Sequence, residues 1–301
     1  MRSDPLAPPD AVTTTVDREL RWAEARLADA GVESPRWDAE QLAAHVLGVR
    51  RVDLVQLSEM TGDAHAAFIG LVGRRAERVP LQHLTGTVGF RYIDLEVGPG
   101  VFIPRPETEV VVGYAIDHLR SVGIPAPLVV ELCAGSAAIA LSVAHEVPGA
   151  VVHAVEVDAG ALEWAARNAD ARALAGDPRV QLHHASVEGA LSELDGTVDC
   201  VVANPPYVAV DEMDDVHPEV RDHDPTTALV AGPDGLDVIR EVVARSAGLL
   251  RPGGLLVVEH SDRQGESAPA VLHADGRWID IADREDLTGR PRYLTARRAP
   301  S

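Results

Sequence analysis

The chain has 301 residues, 46% of them hydrophobic and 25% charged, and a formal charge of −20. This describes a soluble globular chain long enough for two domains. The charge works against duplex nucleic acid as a partner, because such binding draws on cationic contacts with phosphate. There is no lysine, so Schiff-base chemistry and a Walker-type phosphate loop are excluded.

The two cysteines, Cys133 and Cys200, make neither a disulfide framework nor a metal cage, which fits a reducing cytoplasm. No apolar run approaches the roughly 20 residues of a membrane helix. Residues 1–12 are Pro-rich and lack a basic region followed by an apolar stretch; they read as a flexible tail and not a secretory signal.

Residues 13–80 read as a helical domain. Leu20, Trp22, Ala23, Leu27 and Ala30 recur at helix spacing, with Gly31 as a stop. A second helix is expected from Pro35 to Leu47, ended by Gly48, and a third from Asp63 to Arg78. No catalytic constellation falls here, so the expected role is a scaffold or a docking surface.

Residues 81–103 change to strand periodicity, with Gly98-Pro99-Gly100 as a turn, and read as a β-hairpin linker. From residue 104 to 301 helices and strands alternate: helix Thr108–Leu119, strand Leu128–Leu132, helix Ala137–Glu146, strand Val151–Val157, helix Ala159–Ala175. Strands Val180–His183 and Val198–Ala203, helix Gly235–Leu250 and strand Gly254–Glu259 follow. The fold class is α/β, a doubly wound, mainly parallel sheet.

Asn204-Pro205-Pro206-Tyr207 directly follows the apolar run ending at Ala203. A planar nitrogen, in an amide or a base amine, is a poor nucleophile because its lone pair is delocalised. It needs acceptors that hold its N–H bonds and turn the lone pair toward an electrophile. The Asn204 side-chain oxygen and the Pro205 carbonyl are two such acceptors, and the prolines hold the backbone and remove competing donors. Tyr207 adds a flat supporting face. The same residues also suit a stiff turn closing a strand.

Glu131-Leu132-Cys133-Ala134-Gly135-Ser136-Ala137 ends the first strand of the wound domain in a small-residue loop before a helix N-terminus. It is not a G-x-G-x-x-G loop, and a plain connection is the alternative. Glu156 ends the next strand, where an acid accepts both hydroxyls of a ribose; Asp158 instead suits a helix cap. At the carboxyl ends of neighbouring strands, these pieces together favour S-adenosylmethionine and a planar-nitrogen acceptor.

From Trp22 to Arg297 the chain resembles the PrmC/HemK-type glutamine methyltransferases. The likeness is strongest in Pro80-Leu81-Gln82-His83-Leu84-Thr85-Gly86, in Phe102-Ile103-Pro104-Arg105-Pro106-Glu107-Thr108-Glu109 and in Asn204-Pro205-Pro206-Tyr207. Asp224-Pro225, Ala228-Leu229, Gly232-Pro233-Asp234-Gly235-Leu236 and Pro252-Gly253-Gly254 also match. The resemblance implies a methyl transfer from S-adenosylmethionine to the Gln amide in the Gly-Gly-Gln loop of class-I peptide chain release factors. The implied partner is thus a protein, with neither nucleic acid nor membrane.

Carried over by position, the resemblance implies that Asn204 and the Pro205 carbonyl hold the amide, with Pro206 and Tyr207 completing the pocket. It puts Cys133, Ala134, Gly135, Ser136 and Ala137 at the methionine end of the donor, Glu156 at the ribose, and Phe102 and Arg105 at the border. Glu131, Ser186, Val187 and Asn204 complete the donor site. The chain departs from the family at Glu131, where Asp is usual, and at Ala137, where the last loop glycine is usual. It also departs at Ser186 and Val187, where an acid and a larger apolar residue are expected. Ala137 is expected to put a methyl group near the cofactor or to demand φ below zero. Glu107 and Glu109 are read as acids favoured by a helix N-terminus, and His217, His223 and His260 as structural or surface residues. The rival readings are an adenine-amine nucleic-acid methyltransferase and a non-catalytic relative with an altered donor loop.

Overall fold

The computed structural model describes residues 13–300; the expected tail, residues 1–12, lies outside them. The chain divides into two compact units. Among the described residues, one holds residues 13–87 together with His217–His223; the other holds Val88–Val216 with residues 224–300. The segment 217–223, which a linear reading assigns to the wound domain, thus clusters with the helical unit.

In the helical unit, strand β1 (Thr13–Thr15) pairs antiparallel with β2 (Glu59–Thr61). Helix α1 (Val16–Asp29) starts where the Thr15 side chain accepts from Arg18 N–H, a cap worth about 1 kcal/mol. It buries Val16, Leu20, Ala23 and Leu27, which share one face. Helix α2 (Pro35–Leu47) has proline in its first turn and ends at Gly48 in the left-handed region. Helix α3 (Gly62–Ala76) supplies Phe68 and Val72, and α4 (Leu81–Thr85) supplies Leu84, to the same core. Truncating fully buried Leu27 or Phe68 to Ala would cost about 3–5 kcal/mol. The segment 217–223 contains the short helix α8 (Pro218–His223).

The residues expected to form one hairpin linker divide into α4 and a two-stranded sheet of β3 (Thr87–Phe90) and β4 (Ile93–Glu96). Helix α5 (Pro106–Val122) follows, with Glu107 and Glu109 in its first turn as expected.

The wound unit then runs β5 (Leu128–Leu132), α6 (Ala138–Glu146), β6 (Val151–Glu156), α7 (Ala159–Leu174), β7 (Gln181–His184) and β8 (Val198–Ala203). After α8 come α9 (Asp237–Leu249), β9 (Leu250–Glu259), α10 (Ser267–Asp275), β10 (Trp278–Glu285) and β11 (Pro291–Arg298). The seven strands lie in the order β10-β11-β9-β8-β5-β6-β7. The five from β9 to β7 are parallel, and β11 joins β9 and β10 antiparallel. This bears out the doubly wound, mainly parallel sheet.

Two features of this sheet place the site. The chain moves outward from β5 through β6 to β7, then returns to β8 on the other side of β5. The crevice at that reversal, beyond the carboxyl ends of β5 and β8, is where open α/β sheets bind ligands. The register also pairs Leu132 with Val155 and with Ala203, and Ala203 with Val258. One residue further along, Cys133, Glu156, Asn204 and Glu259 therefore come level along the rim. No helix among the described residues is long and apolar enough to cross a membrane.

Candidate active site

The small-residue loop after β5 is held in an unusual backbone. Cys133, Gly135 and Ala137 have φ of 62°, 53° and 63°. The φ below zero that was one of the two expectations for Ala137 is not found: it occupies the left-handed region that the usual glycine would prefer, and it is fully buried. For an L-residue this costs about 1–2 kcal/mol. The loop is closed by Ala137 N–H donating to the Ala134 carbonyl (2.7 Å) and tied to β6 by Ala134 N–H donating to the Val155 carbonyl (3.0 Å).

Two carboxylates brace this loop. Glu156 accepts from Gly135 N–H at 2.7 Å with one oxygen and from Asp158 N–H at 2.8 Å with the other. Glu131 is buried and accepts from Ala140 N–H at 2.9 Å, which joins it to the first turn of α6. Burial, opposed by that hydrogen bond and reinforced by the nearby Glu156, raises the Glu131 carboxyl well above the usual range. The Cys133 thiol is pushed up by burial and then by Glu156 and Glu131, which keeps it un-ionised and a poor nucleophile. Asp158 caps α7 as expected, accepting from Ala161 N–H at 2.8 Å.

The donor set suits S-adenosylmethionine. A Cβ built on Gly135 would meet nothing within 4 Å, so space lies open above the loop backbone. Each oxygen of Glu156 keeps lone pairs beyond its one backbone bond, enough for ribose hydroxyls. Ser186 is exposed and donates to the Glu188 carbonyl at 3.3 Å, whereas Val187 is buried in the core.

Beyond β8, Pro205 is buried and Asn204, Pro206 and Tyr207 are half-buried. The turn is fastened by its backbone: Tyr207 and Val208 N–H both donate to the Leu229 carbonyl, at 3.1 and 2.8 Å. Gln264 Nε2 donates to the Tyr207 carbonyl at 3.1 Å. The Asn204 carboxamide donates through Nδ2 to Thr108 Oγ1 at 3.2 Å, and Thr108 Oγ1 donates to Glu259 Oε2 at 2.7 Å. Tyr207 Oη donates to Glu259 Oε1 at 3.3 Å. Burial, followed by the Glu259 carboxylate, keeps the Tyr207 phenol protonated.

Arg105, just before α5, donates to Asp224 at 2.7 Å, and its guanidinium lies 5.1 Å from the Phe102 ring centroid. Arg105 thus joins the Phe102 ring to the buried Asp224, while Thr108 in the first turn of α5 reaches the buried Glu259. Thr108, Glu259 and Gln264 are the residues that sequence reasoning passed over as site residues. Glu259 carries the signal that singled out Glu156, an acid ending an apolar strand, and Thr108 sits inside the most specific stretch of the resemblance. His260 is fully buried and pairs with Asp283 at 2.9 Å, a structural role as expected.

Known proteins resemble this chain in sequence and in fold. Residues 19–86 match the family model described as the PrmC N-terminal domain, and residues 116–220 match the methyltransferase small domain. A release factor glutamine methyltransferase from Streptomyces coelicolor is 50% identical over 281 residues, covering 93% of this chain and 97% of the relative. One from Mycobacterium tuberculosis is 44% identical over 292 residues, covering 94% and 92%. Among solved structures, a Thermus thermophilus 16S rRNA N2 G1207 methyltransferase in complex with AdoMet and guanosine shares the fold. Its TM-score is 0.52 at 22% identity, covering 70% of this chain and 49% of that one.

Proposed function

This chain belongs to the release factor glutamine methyltransferase family, and on that premise we propose the reaction and the residues that carry it. It transfers a methyl group from S-adenosylmethionine to the side-chain amide nitrogen of the glutamine in the Gly-Gly-Gln loop of class-I release factors. The observation that carries this reading is the Asn204 carboxamide, held by its nitrogen at Thr108 and level along the sheet rim with the donor loop.

When bound, S-adenosylmethionine supplies an electrophilic methyl carbon on a sulfonium. Cys133 to Ala137, with Glu156, would hold it; Glu131 ties the start of α6 that follows the loop, and Ser186 and Val187 would border the adenine. Asn204 Oδ1 and the Pro205 carbonyl accept the two N–H bonds of the glutamine amide and so aim the nitrogen lone pair at the donor. Orientation and fixed dipoles of this kind supply several kcal/mol without a strong base. Pro206 and Tyr207 wall the amide, and Phe102 and Arg105 border it. As positive charge develops on nitrogen its N–H becomes strongly acidic, so the proton leaves late and no side chain has to remove it first.

The charge of −20 supports a protein acceptor over a phosphate-rich one or a membrane surface. The free thiols of Cys133 and Cys200, and an acceptor that serves translation, support a cytoplasmic reaction. The test is mass spectrometry of a class-I release factor incubated with this protein and donor. One added methyl on the Gly-Gly-Gln glutamine is expected. An unmodified glutamine in the presence of bound donor would refute the reading.

A further inference from the structure

The residues assigned to the amide pocket are held by a hydrogen-bond chain that runs through the interior of the wound unit. It begins at Glu259, the last residue of β9, which is 1% exposed. One carboxylate oxygen accepts from Thr108 Oγ1 at 2.7 Å and the other from Tyr207 Oη at 3.3 Å. Thr108 is also buried, and its oxygen lies 3.2 Å from Asn204 Nδ2. A single buried acid thus holds both ends of the Asn-Pro-Pro-Tyr turn, Tyr207 directly and Asn204 through Thr108.

The direction of this chain decides which way Asn204 faces. A threonine hydroxyl has one hydrogen to give. While Glu259 is ionised it only accepts, so that hydrogen goes to Glu259 and Thr108 turns a lone pair to Asn204. Asn204 must meet a lone pair with its NH₂ group, which leaves Oδ1 on the other side of the planar carboxamide to accept an N–H from an amide acceptor. If Asn204 were turned over, its NH₂ would confront the N–H bonds of the acceptor, donor against donor.

We infer that Glu259 and Thr108 are positioning residues of the methyl-transfer site, acting through Asn204, and that the ionised form of Glu259 sets the productive orientation. The inference rests on the glutamine-amide reading given above, which it deepens.

The surroundings make the ionisation of Glu259 responsive near neutral pH. Burial pushes its carboxyl up to about 7, while the Thr108 hydrogen bond, the Arg292 charge and the Tyr207 hydroxyl oppose the rise and Glu107 adds to it. Arg292, on β11, is itself held by Asp286 at 3.1 Å, and the neighbouring His260 is engaged by Asp283. Below pH 7 a protonated Glu259 can donate to Thr108, whose hydrogen is then released toward Asn204, and the carboxamide loses its enforced direction. Turnover should therefore rise with pH through about 7 and level off above it.

The test is turnover on a release factor from pH 6 to 8.5 for the wild type and for Thr108→Val, Thr108→Ser and Glu259→Gln, with donor affinity measured by calorimetry. Thr108→Val should lower kcat about tenfold to a hundredfold, the scale of a misaligned reacting group, with donor affinity unchanged. Thr108→Ser should restore most of the loss. Glu259→Gln should lose the rise near pH 7, because glutamine does not titrate. In parallel, the side-chain amide resonance of Asn204 in ¹⁵N spectra should shift with a midpoint near pH 7 in the wild type and stay fixed in Glu259→Gln. Wild-type kcat in Thr108→Val, or an Asn204 resonance and pH profile unaltered by Glu259→Gln, would overturn the inference. A wild type that leaves the release factor unmodified would refute the acceptor assignment instead, and the Asn204 resonance would still decide the positioning role.

Discussion

Gly235 lies against the carbonyl oxygen of Tyr207 so closely that a Cβ at position 235 would collide with it. Gly235 also has φ of +69°, so both space and backbone conformation require glycine there. This contact sets the height of the Asn-Pro-Pro-Tyr turn, because the same carbonyl is grasped by Gln264 at 3.1 Å. Gly235→Ala is expected to destabilise the protein by at least about 1–2 kcal/mol, the cost of the left-handed conformation for an L-residue. It should also lower kcat more than donor affinity, since the amide pocket moves and the donor loop does not. Thermal unfolding and donor titration on the same preparation check this; unaltered kcat would show that the turn tolerates displacement.

Ala137 presents the opposite case, an alanine where glycine would be easier. At φ +63° it pays a backbone cost that glycine would partly return, less the greater entropy of glycine in the unfolded chain. Ala137→Gly should raise stability by up to about 1 kcal/mol, and Ala137→Val should lower it, since β-branched residues fit this region worst. The denaturant midpoint at constant slope is the measurement. A lowered midpoint for the glycine variant would mean that its buried methyl contacts outweigh the strain.

The contrast between these positions shows what the sequence could carry. The strands of the wound unit were legible because β5 and β8 are apolar runs buried on both faces. The β10–β11 pair was missed because Trp278–Glu285 mixes apolar and charged residues without a strict period of two, ends in three charged residues and leaves most side chains at least partly exposed, a pattern that reads as surface. Strands β1 and β2 have three residues each, too few for periodicity to register. At the site, Asn204, Glu156 and the loop from Cys133 to Ala137 stood out because each belongs to a local pattern. Thr108 and Glu259 also lie in local patterns, but their pairing did not show, because they meet only through tertiary packing and sheet register, at a separation of 151 residues.

Asn204→Ala removes the acceptor assigned to the glutamine amide without touching the donor loop. It is expected to abolish methyl transfer, a loss of about a hundredfold or more by analogy with other fixed transition-state contacts, while calorimetry finds donor affinity largely intact. Activity near wild type would sink the assigned role of Asn204.

Asp286 gives a pH dependence of stability rather than of rate. Its carboxylate accepts from the Thr288 hydroxyl at 2.6 Å, from Thr288 and Arg290 N–H, and from Arg292 Nε. These contacts, with the Thr288 hydroxyl foremost, hold its carboxyl below the usual range. A depressed acid stabilises the fold above its unfolded pKa, roughly 3.9, and that contribution is lost as pH falls further. Asp286→Asn should therefore be less stable than wild type at pH 7, with the gap closing below about pH 4. Urea midpoints at the two pH values test this, and a gap that persists unchanged at low pH would count against it.

In the helical unit, Arg75 is buried and donates to Asp38 at 2.7 Å and to the Val79 carbonyl at 3.1 Å, and it pairs with Glu219 of α8 at 2.8 Å. Burial raises the Asp38 carboxyl, and the Arg75 hydrogen bond and charge oppose that rise. Arg75→Ala would leave the Asp38 carboxylate buried without its guanidinium, a change that costs about 3–5 kcal/mol. The defect should shrink as pH falls, because Asp38 can then take up a proton. Glu219 would retain Arg78, also at 2.8 Å, so α8 should be loosened rather than released. Hydrogen exchange followed by mass spectrometry should show faster exchange in His217–His223 and in α2, with the β5–β8 core of the wound unit protected as before. Equal exchange in His217–His223 for both proteins would mean that Arg78 alone keeps that segment with the helices.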